Sequence, residues 1–322
     1  MLAWPVAVRA AEPAVTLRAG SSTTATDPLT LSLDKLAELV ATKTNGEVAI
    51  RVFPQSLGVE HQLVQGAQTG GVDIGMISNG NASRFTSAYL VLDLPFLFKR
   101  YEDLLDFMGT PTGRAMVGQF EKDTGLKSLY LISFGSGRDI QTRNRALRTP
   151  SDIKGLKIRT ISTPVELATF KAWGANPTPL DWDQTYGALQ QGVIDGMQSN
   201  IGPVWAGKFY EVIKHDLRIN YTASFVDVFM SSAKFASLSP THQKAIVDSA
   251  AETQAWIRKY AADQLQGYLD DLKAKGVDVY TPTPAEYQQW IAVRDSVWKE
   301  AAKSYAGKID LGLAERIYSG KQ

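Results

Sequence analysis

An apolar pattern at helical spacing runs from residue 239 to 276 and sets the scale of the whole molecule. Ser239-Pro240 opens it, with the proline in the first turn, where a helix makes no use of its missing N–H. Ile246, Val247, Ile257, Tyr260, Leu265, Leu269 and Leu272 carry the pattern to Gly276. The spacing predicts a helix of about 36 residues and ~54 Å, against a usual length of ~12 residues. A small single domain has no need of such a helix, so it is expected to lie across two domains. Thr283-Pro284-Ala285-Glu286 then gives an N-cap with Glu three residues on, the start of a further helix running to about Tyr305.

Upstream, strands and helices alternate. Short apolar or alternating strands are predicted at 15–19, 47–53, 72–77, 126–134, 157–160, 193–198 and 225–232, with helices at 29–44, 62–69, 101–124, 164–173 and 185–191. The most apolar run is 90–98, LVLDLPFLF. Such alternation predicts an α/β protein with mainly parallel sheets covered on both faces. One echo stands out. Gln68-Thr69-Gly70-Gly71-Val72-Asp73-Ile74-Gly75-Met76 is repeated in kind by Gln190-Gln191-Gly192-Val193-Ile194-Asp195-Gly196-Met197. Two similar α/β lobes facing a cleft follow, one from 12–136 and 222–255, the other from 137–221 and 256–322.

Lys+Arg total 34 and Asp+Glu 33, a net charge of +1, which argues against a protein built to coat nucleic acid or an anionic membrane. The chain has no cysteine, so disulfides, thiolate catalysis and cysteine–zinc sites are excluded. His61, His215 and His242 lie far apart, without metal-binding spacing. The opening MLAWPVAVRAAEPAV reads as the remnant of a secretory signal over 1–11, with cleavage near Ala10 or Ala11. No run approaches the ~20 apolar residues of a membrane span. The expectation is a soluble exported protein, periplasmic in location.

The segment 137–200 carries the chemistry. Arg159 ends a predicted strand whose Leu156 and Ile158 face the core, so its guanidinium points to the other side, into the crevice where α/β sheets bind ligands. Guanidinium matches a carboxylate with paired N–H donors. Arg138 follows a Gly-Ser-Gly bend and offers a second cation, or else a hinge-surface salt bridge. Trp182, between Asp181 and Asp183, could wall a pocket or cap the next helix. Catalytic signatures are missing. Gly135-Ser136-Gly137 is no nucleophile elbow, no phosphate-binding loop occurs, and Asp181 and Asp183 read as helix-start carboxylates.

These pieces in this order resemble the DctP-type substrate-binding proteins of TRAP (tripartite ATP-independent periplasmic) transporters. The matching pieces are 44–47, 55–58, Leu92-Asp93-Leu94-Pro95-Phe96-Leu97-Phe98, 152–159, 179–196 and Lys208-Phe209-Tyr210-Glu211-Val212. The resemblance implies two α/β lobes of Venus-flytrap type, strands crossing between them and a long helix spanning both. It implies capture of an organic acid and delivery to an ion-gradient-driven TRAP permease, by a monomer without cofactor or metal. Arg159 is then the carboxylate-binding arginine, Arg138 the second basic pocket residue in a segment one residue longer than usual, and Trp182 the pocket aromatic. The family's common DGQEN ending appears as Asp195-Gly196-Met197-Gln198-Ser199, which puts Ser199 or Asn200 at the amide's place. Ser22, Ser78 and Asn79 fall at first-lobe pocket loops, and Phe225 completes the expected contacts. Two arginines suit a dicarboxylate or a hydroxy acid, and Trp182 also permits a cyclic or aromatic acid. A carboxylate-acting enzyme on the same scaffold would need His61, His215 or an Asp181–Asp183 pair as its base. A sensory ligand-binding module would need a membrane segment or signalling domain of its own.

Overall fold

Two mixed β-sheets, each with its own helices, form the chain; the computed structural model describes residues 12–321. The signal remnant expected at 1–11 lies outside the described residues. The first sheet holds β1 (Val15–Ser21), β2 (Val48–Pro54), β3 (Ile74–Ser78), β4 (Leu126–Ser133) and, returning late in the chain, β10 (Phe225–Ser231). Its order is β2-β1-β3-β10-β4, with β10 antiparallel to both β3 and β4. The second sheet holds β5 (Arg138–Thr142), β6 (Lys157–Thr160), β7 (Asn176–Pro179), β8 (Gly196–Ser199), β9 (His215–Thr222) and β11 (Asp278–Tyr280), in the order β11-β9-β5-β8-β6-β7. Pairing is parallel within the βα units, and the strands that lead across between lobes run antiparallel.

The sequence echo is structural. Gly70 and Gly192 end equivalent helices in the left-handed conformation, at φ 81° and 75°. Asp73 then accepts from the backbone N–H of Arg18 at 2.7 Å, and Asp195 from that of Lys157 at 2.8 Å. In both lobes one carboxylate ties the start of a strand to its neighbour.

The long helix spans Pro240–Ala274, 35 residues, capped by Ser239, whose side chain accepts from His242 N–H. Its buried stripe includes Ile246, Ala250, Ile257, Ala261, Tyr268 and Leu272, while Val247 is exposed. Its first half packs on the helix Pro28–Lys43 and on β4, and its second on the helix Ile201–Ala206 and on β11. The chain also passes between lobes at 134–137 and at 223–224. At the first passage Gly135 has φ 70°, and a Cβ there would sit 2.6 Å from the carbonyl oxygen of Ala261. Only glycine lets strand and helix approach so closely.

One stretch departs from expectation. Residues 256–322 do not all join the second lobe. Trp290 packs with Phe170, Trp173 and Tyr221 there, whereas Trp298, Ala301, Ile309, Ala314 and Ile317 belong to the first lobe's core. The chain therefore returns to the first lobe after Trp290. Likewise the helix expected over 101–124 is two, Asp103–Met108 and Pro111–Thr124, because Thr110 caps the second and Pro111 cannot continue the first.

The first lobe buries Asp227 on β10, where its carboxylate accepts from Tyr89 Oη at 2.8 Å and Ser128 Oγ at 2.7 Å. Burial pushes this carboxyl up to about 7, against a usual 3.8, despite those two hydrogen bonds. Burial likewise raises Asp27 to about 7 and Asp216 to about 8. A raised carboxyl holds its proton in the folded state after the unfolded chain has released it, so its contribution is present below the unfolded value and lost as pH climbs through the folded one. Thermal melting should therefore give a higher midpoint at about pH 5.5 than at about pH 8. Asp227→Asn should flatten that slope, and a slope unchanged by the substitution would show that Asp227 is not protonated there.

Candidate functional site

The C-terminal ends of β6 and β8 and the loops after β1, β2 and β3 border one cleft of about 270 Å³ between the lobes. That is just below the ~300–1,000 Å³ usual for ligand sites, which suits a small solute. The first lobe contributes Ser22, Thr23, Glu60, His61, Ser78 and Asn81; the second contributes Arg138, Arg159, Trp182, Gln198, Ser199 and Asn200.

Arg159 reaches the cleft because strand alternation turns Lys157 and Arg159 away from the core that Ile158 enters. It is 5% exposed. Its Nε donates to the carbonyl of Leu180 at 2.9 Å, which leaves the terminal nitrogens free to donate elsewhere. Among the described residues no carboxylate lies within ion-pair distance of it. Burial, and then the neighbouring Arg138, push its pKa down to about 10, so it remains a cation at neutral pH. A buried cation without an anion is costly and calls for one. Trp182 lies half-buried with its ring 5.7 Å below the Arg159 guanidinium carbon, backed by Phe209 at 4.9 Å.

Arg138 is a different kind of group. Its Nη1 meets Glu166 Oε1 at 3.0 Å, and Tyr221 Oη donates to the same oxygen at 2.7 Å. Burial lifts Glu166 to about 7 even with Arg138 beside it, and Asp93 adds to the lift. Arg138 thus arrives in the cleft already paired. It is neither a free second cation nor a surface salt bridge.

The other expected contacts divide. Ser22, Ser78 and Ser199 line the cleft. Asn200 lines it too, but its amide is engaged elsewhere: Nδ2 donates to Ser136 O at 2.8 Å and Oδ1 accepts from Ser224 Oγ at 3.2 Å. Asn200 ties the two crossing segments together. Asn79 and Phe225 do not line the cleft. Asn79 Oδ1 accepts from Phe225 N–H at 3.2 Å and its own N–H donates to Phe225 O, extending the sheet ladder, while the Phe225 ring packs on Tyr89 in the core. Sequence reasoning misplaced both because they begin or follow strands whose pairing it could not see.

The base candidates do not assemble. Asp181 lines the cleft but Asp183 is exposed outside it; His215 lies against Asp278 at 3.3 Å on the second lobe, away from the cleft. His61 lines the cleft with no carboxylate to orient it among the described residues. No group of three or more His, Asp or Glu placed to hold a metal occurs among the described residues. Sequence reasoning missed Thr23, Glu60 as a cleft residue, Asn81 and Gln198. The only signal for Glu60 was its place in the first turn of a helix, where acids are common.

Residues 19–304 match the family described as bacterial extracellular solute-binding protein, family 7. The chain is 34% identical over 269 residues to the 2,3-diketo-L-gulonate-binding periplasmic protein YiaO of Escherichia coli, covering 83% of this chain and 81% of that one. It is 28% identical to the C4-dicarboxylate-binding periplasmic protein DctP of Vibrio cholerae, over 89% and 86% of the two chains. Among solved structures it superposes on a TRAP periplasmic solute-binding protein of Shewanella oneidensis with bound succinate at TM-score 0.89 and 26% identity, covering 96% of this chain and 100% of that one. It superposes as well on the sugar-acid-binding protein DctPAm of Advenella mimigardefordensis in complex with galactonate, at TM-score 0.87 and 25% identity, over 96% and 98%.

Proposed function

Because the chain belongs to the bacterial extracellular solute-binding proteins of family 7, we propose that its cleft takes a small organic acid by the carboxylate, with Arg159 as the primary donor. The protein is a TRAP-type solute-binding protein, a transport component and not an enzyme, and it works with TRAP membrane permease subunits. Among the described residues no helix is long and apolar enough to cross a membrane. A monomer acting in the periplasm fits that role.

The observation that carries the reading is the buried Arg159 guanidinium, turned into the cleft without a protein anion. An incoming carboxylate would supply the missing charge through short, charge-assisted hydrogen bonds of ~1.5–3 kcal/mol each. Micromolar affinity needs about 8.2 kcal/mol, so further contacts must come from the other lobe. Ser22, Thr23, Glu60, Ser78 and Asn81 stand there. Contacts made to both lobes favour the closed form, which is how ligand binding becomes lobe closure. Trp182 would wall the carbon chain.

A thermal-shift panel tests this. Organic acids that bind should raise the melting midpoint by several degrees, since ligand at about 100-fold its Kd adds about 2.7 kcal/mol. Neutral sugars of the same size should leave the midpoint unmoved. A panel in which neutral sugars stabilise as well as acids would overturn the assignment.

A further inference from the structure

The cleft carries opposite charges at its two sides. Arg159 stands on the second lobe, and Glu60 faces it from the first, close enough that Glu60 helps to hold Arg159 charged. Glu60 is held by three donors on one oxygen: Oε2 accepts from Ser78 N–H at 3.0 Å, Ser78 Oγ at 2.8 Å and Asn81 Nδ2 at 2.7 Å. Among the described residues Oε1 has no partner, and no Lys or Arg pairs with the carboxylate. The side chain is thus fixed in direction while one oxygen stays available to a solute.

We propose that Glu60 selects the solute class: a monocarboxylate bearing hydroxyl groups along its chain, in preference to a dicarboxylate. The proposal rests on Arg159 holding the carboxylate. Once one carboxylate has met Arg159, the second cation of the cleft, Arg138, is already engaged by Glu166 at 3.0 Å. A second carboxylate at the far end would face the Glu60 anion, and like charges apposed across a cleft discriminate against the ligand that brings them. Hydroxyl groups behave in the opposite way, since they donate to Oε1 in charge-assisted hydrogen bonds. The other groups on that side, Ser22, Thr23 and Asn81, can both donate and accept, as a polyol requires. Arg84 also lines the cleft and could meet a second carboxylate, but it is solvent-exposed, where an ion pair contributes little.

Calorimetry with galactonate and succinate on the parent, Glu60→Gln, Glu60→Asp and Arg159→Met tests the proposal. The parent should bind galactonate at least about tenfold tighter than succinate. Glu60→Gln keeps an acceptor for Ser78 and Asn81 but removes the charge. It should weaken galactonate by roughly 10- to 100-fold while succinate holds or improves, the range one charge-assisted hydrogen bond supplies. Glu60→Asp, which keeps the charge and withdraws it, should still reject succinate if the repulsion is real. Arg159→Met should lose both acids. A parent that prefers succinate, or a Glu60→Gln protein with an unchanged preference, would remove Glu60 as the selector. If Arg159→Met still loses both acids in that case, the carboxylate reading survives. Retained binding in Arg159→Met would overturn the underlying reading itself.

Discussion

Arg159→Met should reduce acid binding below detection while leaving the unliganded protein at least as stable as the parent. The two halves of that expectation come from one fact. Arg159 is 5% exposed and has no anion within ion-pair distance among the described residues, so in the unliganded protein its charge is held at a cost. Methionine keeps the apolar stem and drops the charge, losing the hydrogen bond to Leu180 O and the guanidinium's contact with the Trp182 ring. Removing one partner of a buried, hydrogen-bonded charge pair typically costs ~2–5 kcal/mol of binding, about 30- to 5,000-fold. Calorimetry reads the binding and urea denaturation the stability. A variant that binds normally, or one that unfolds readily without ligand, would place Arg159 among structural arginines instead.

Glu166→Ala should be the most destabilising single change around the cleft. Glu166 is buried and anchors two groups at one oxygen, the Arg138 guanidinium at 3.0 Å and the Tyr221 hydroxyl at 2.7 Å. Alanine would strand the Arg138 charge in the interior, and breaking a buried pair from one side costs ~3–5 kcal/mol. The double variant Arg138→Met/Glu166→Ala should recover much of that loss, because no orphan charge remains. Denaturation midpoints of the parent, the two single variants and the double variant complete the cycle. If Glu166→Ala loses less than about 1 kcal/mol, Arg138 has another source of compensation, and Asp93, whose charge also acts on Arg138, is the candidate.

Why one arginine was legible in the sequence and the other only half so is a matter of partners. Strand alternation is local, and it placed Arg159 on the face away from Ile158 without help from the rest of the fold. The role of Arg138 depends on Glu166, which is 28 residues away on a different element. The same division runs through the fold. Capping signals and apolar spacing gave the long helix to within two residues of its ends. β7 went unseen because Asn176-Pro177-Thr178-Pro179 reads as a turn; it is an edge strand, the one sheet position that tolerates proline. β9 and the three-residue β11 find their places only through pairing with each other and with β5. Asn79 and Asn200 resemble ligand amides because both lie next to cleft residues in sequence, yet Asn79 binds the backbone of Phe225 at the start of β10 and Asn200 binds the crossing segments. Glu60 was passed over for the opposite reason, since a helix-start acid has an ordinary local explanation.

The position of β10 has a consequence for how the chain acquires its shape. β10 lies inside the first sheet, flanked by β3 on one side and β4 on the other, yet it is made after the whole second sheet apart from β11. A polypeptide released at residue 136 would carry β3 and β4 with no strand to join them, leaving β2-β1-β3 on one side and β4 alone on the other. Such a fragment should expose strand edges and aggregate. Neither half is a separable module, and the first sheet cannot close until the chain through residue 231 is available to it.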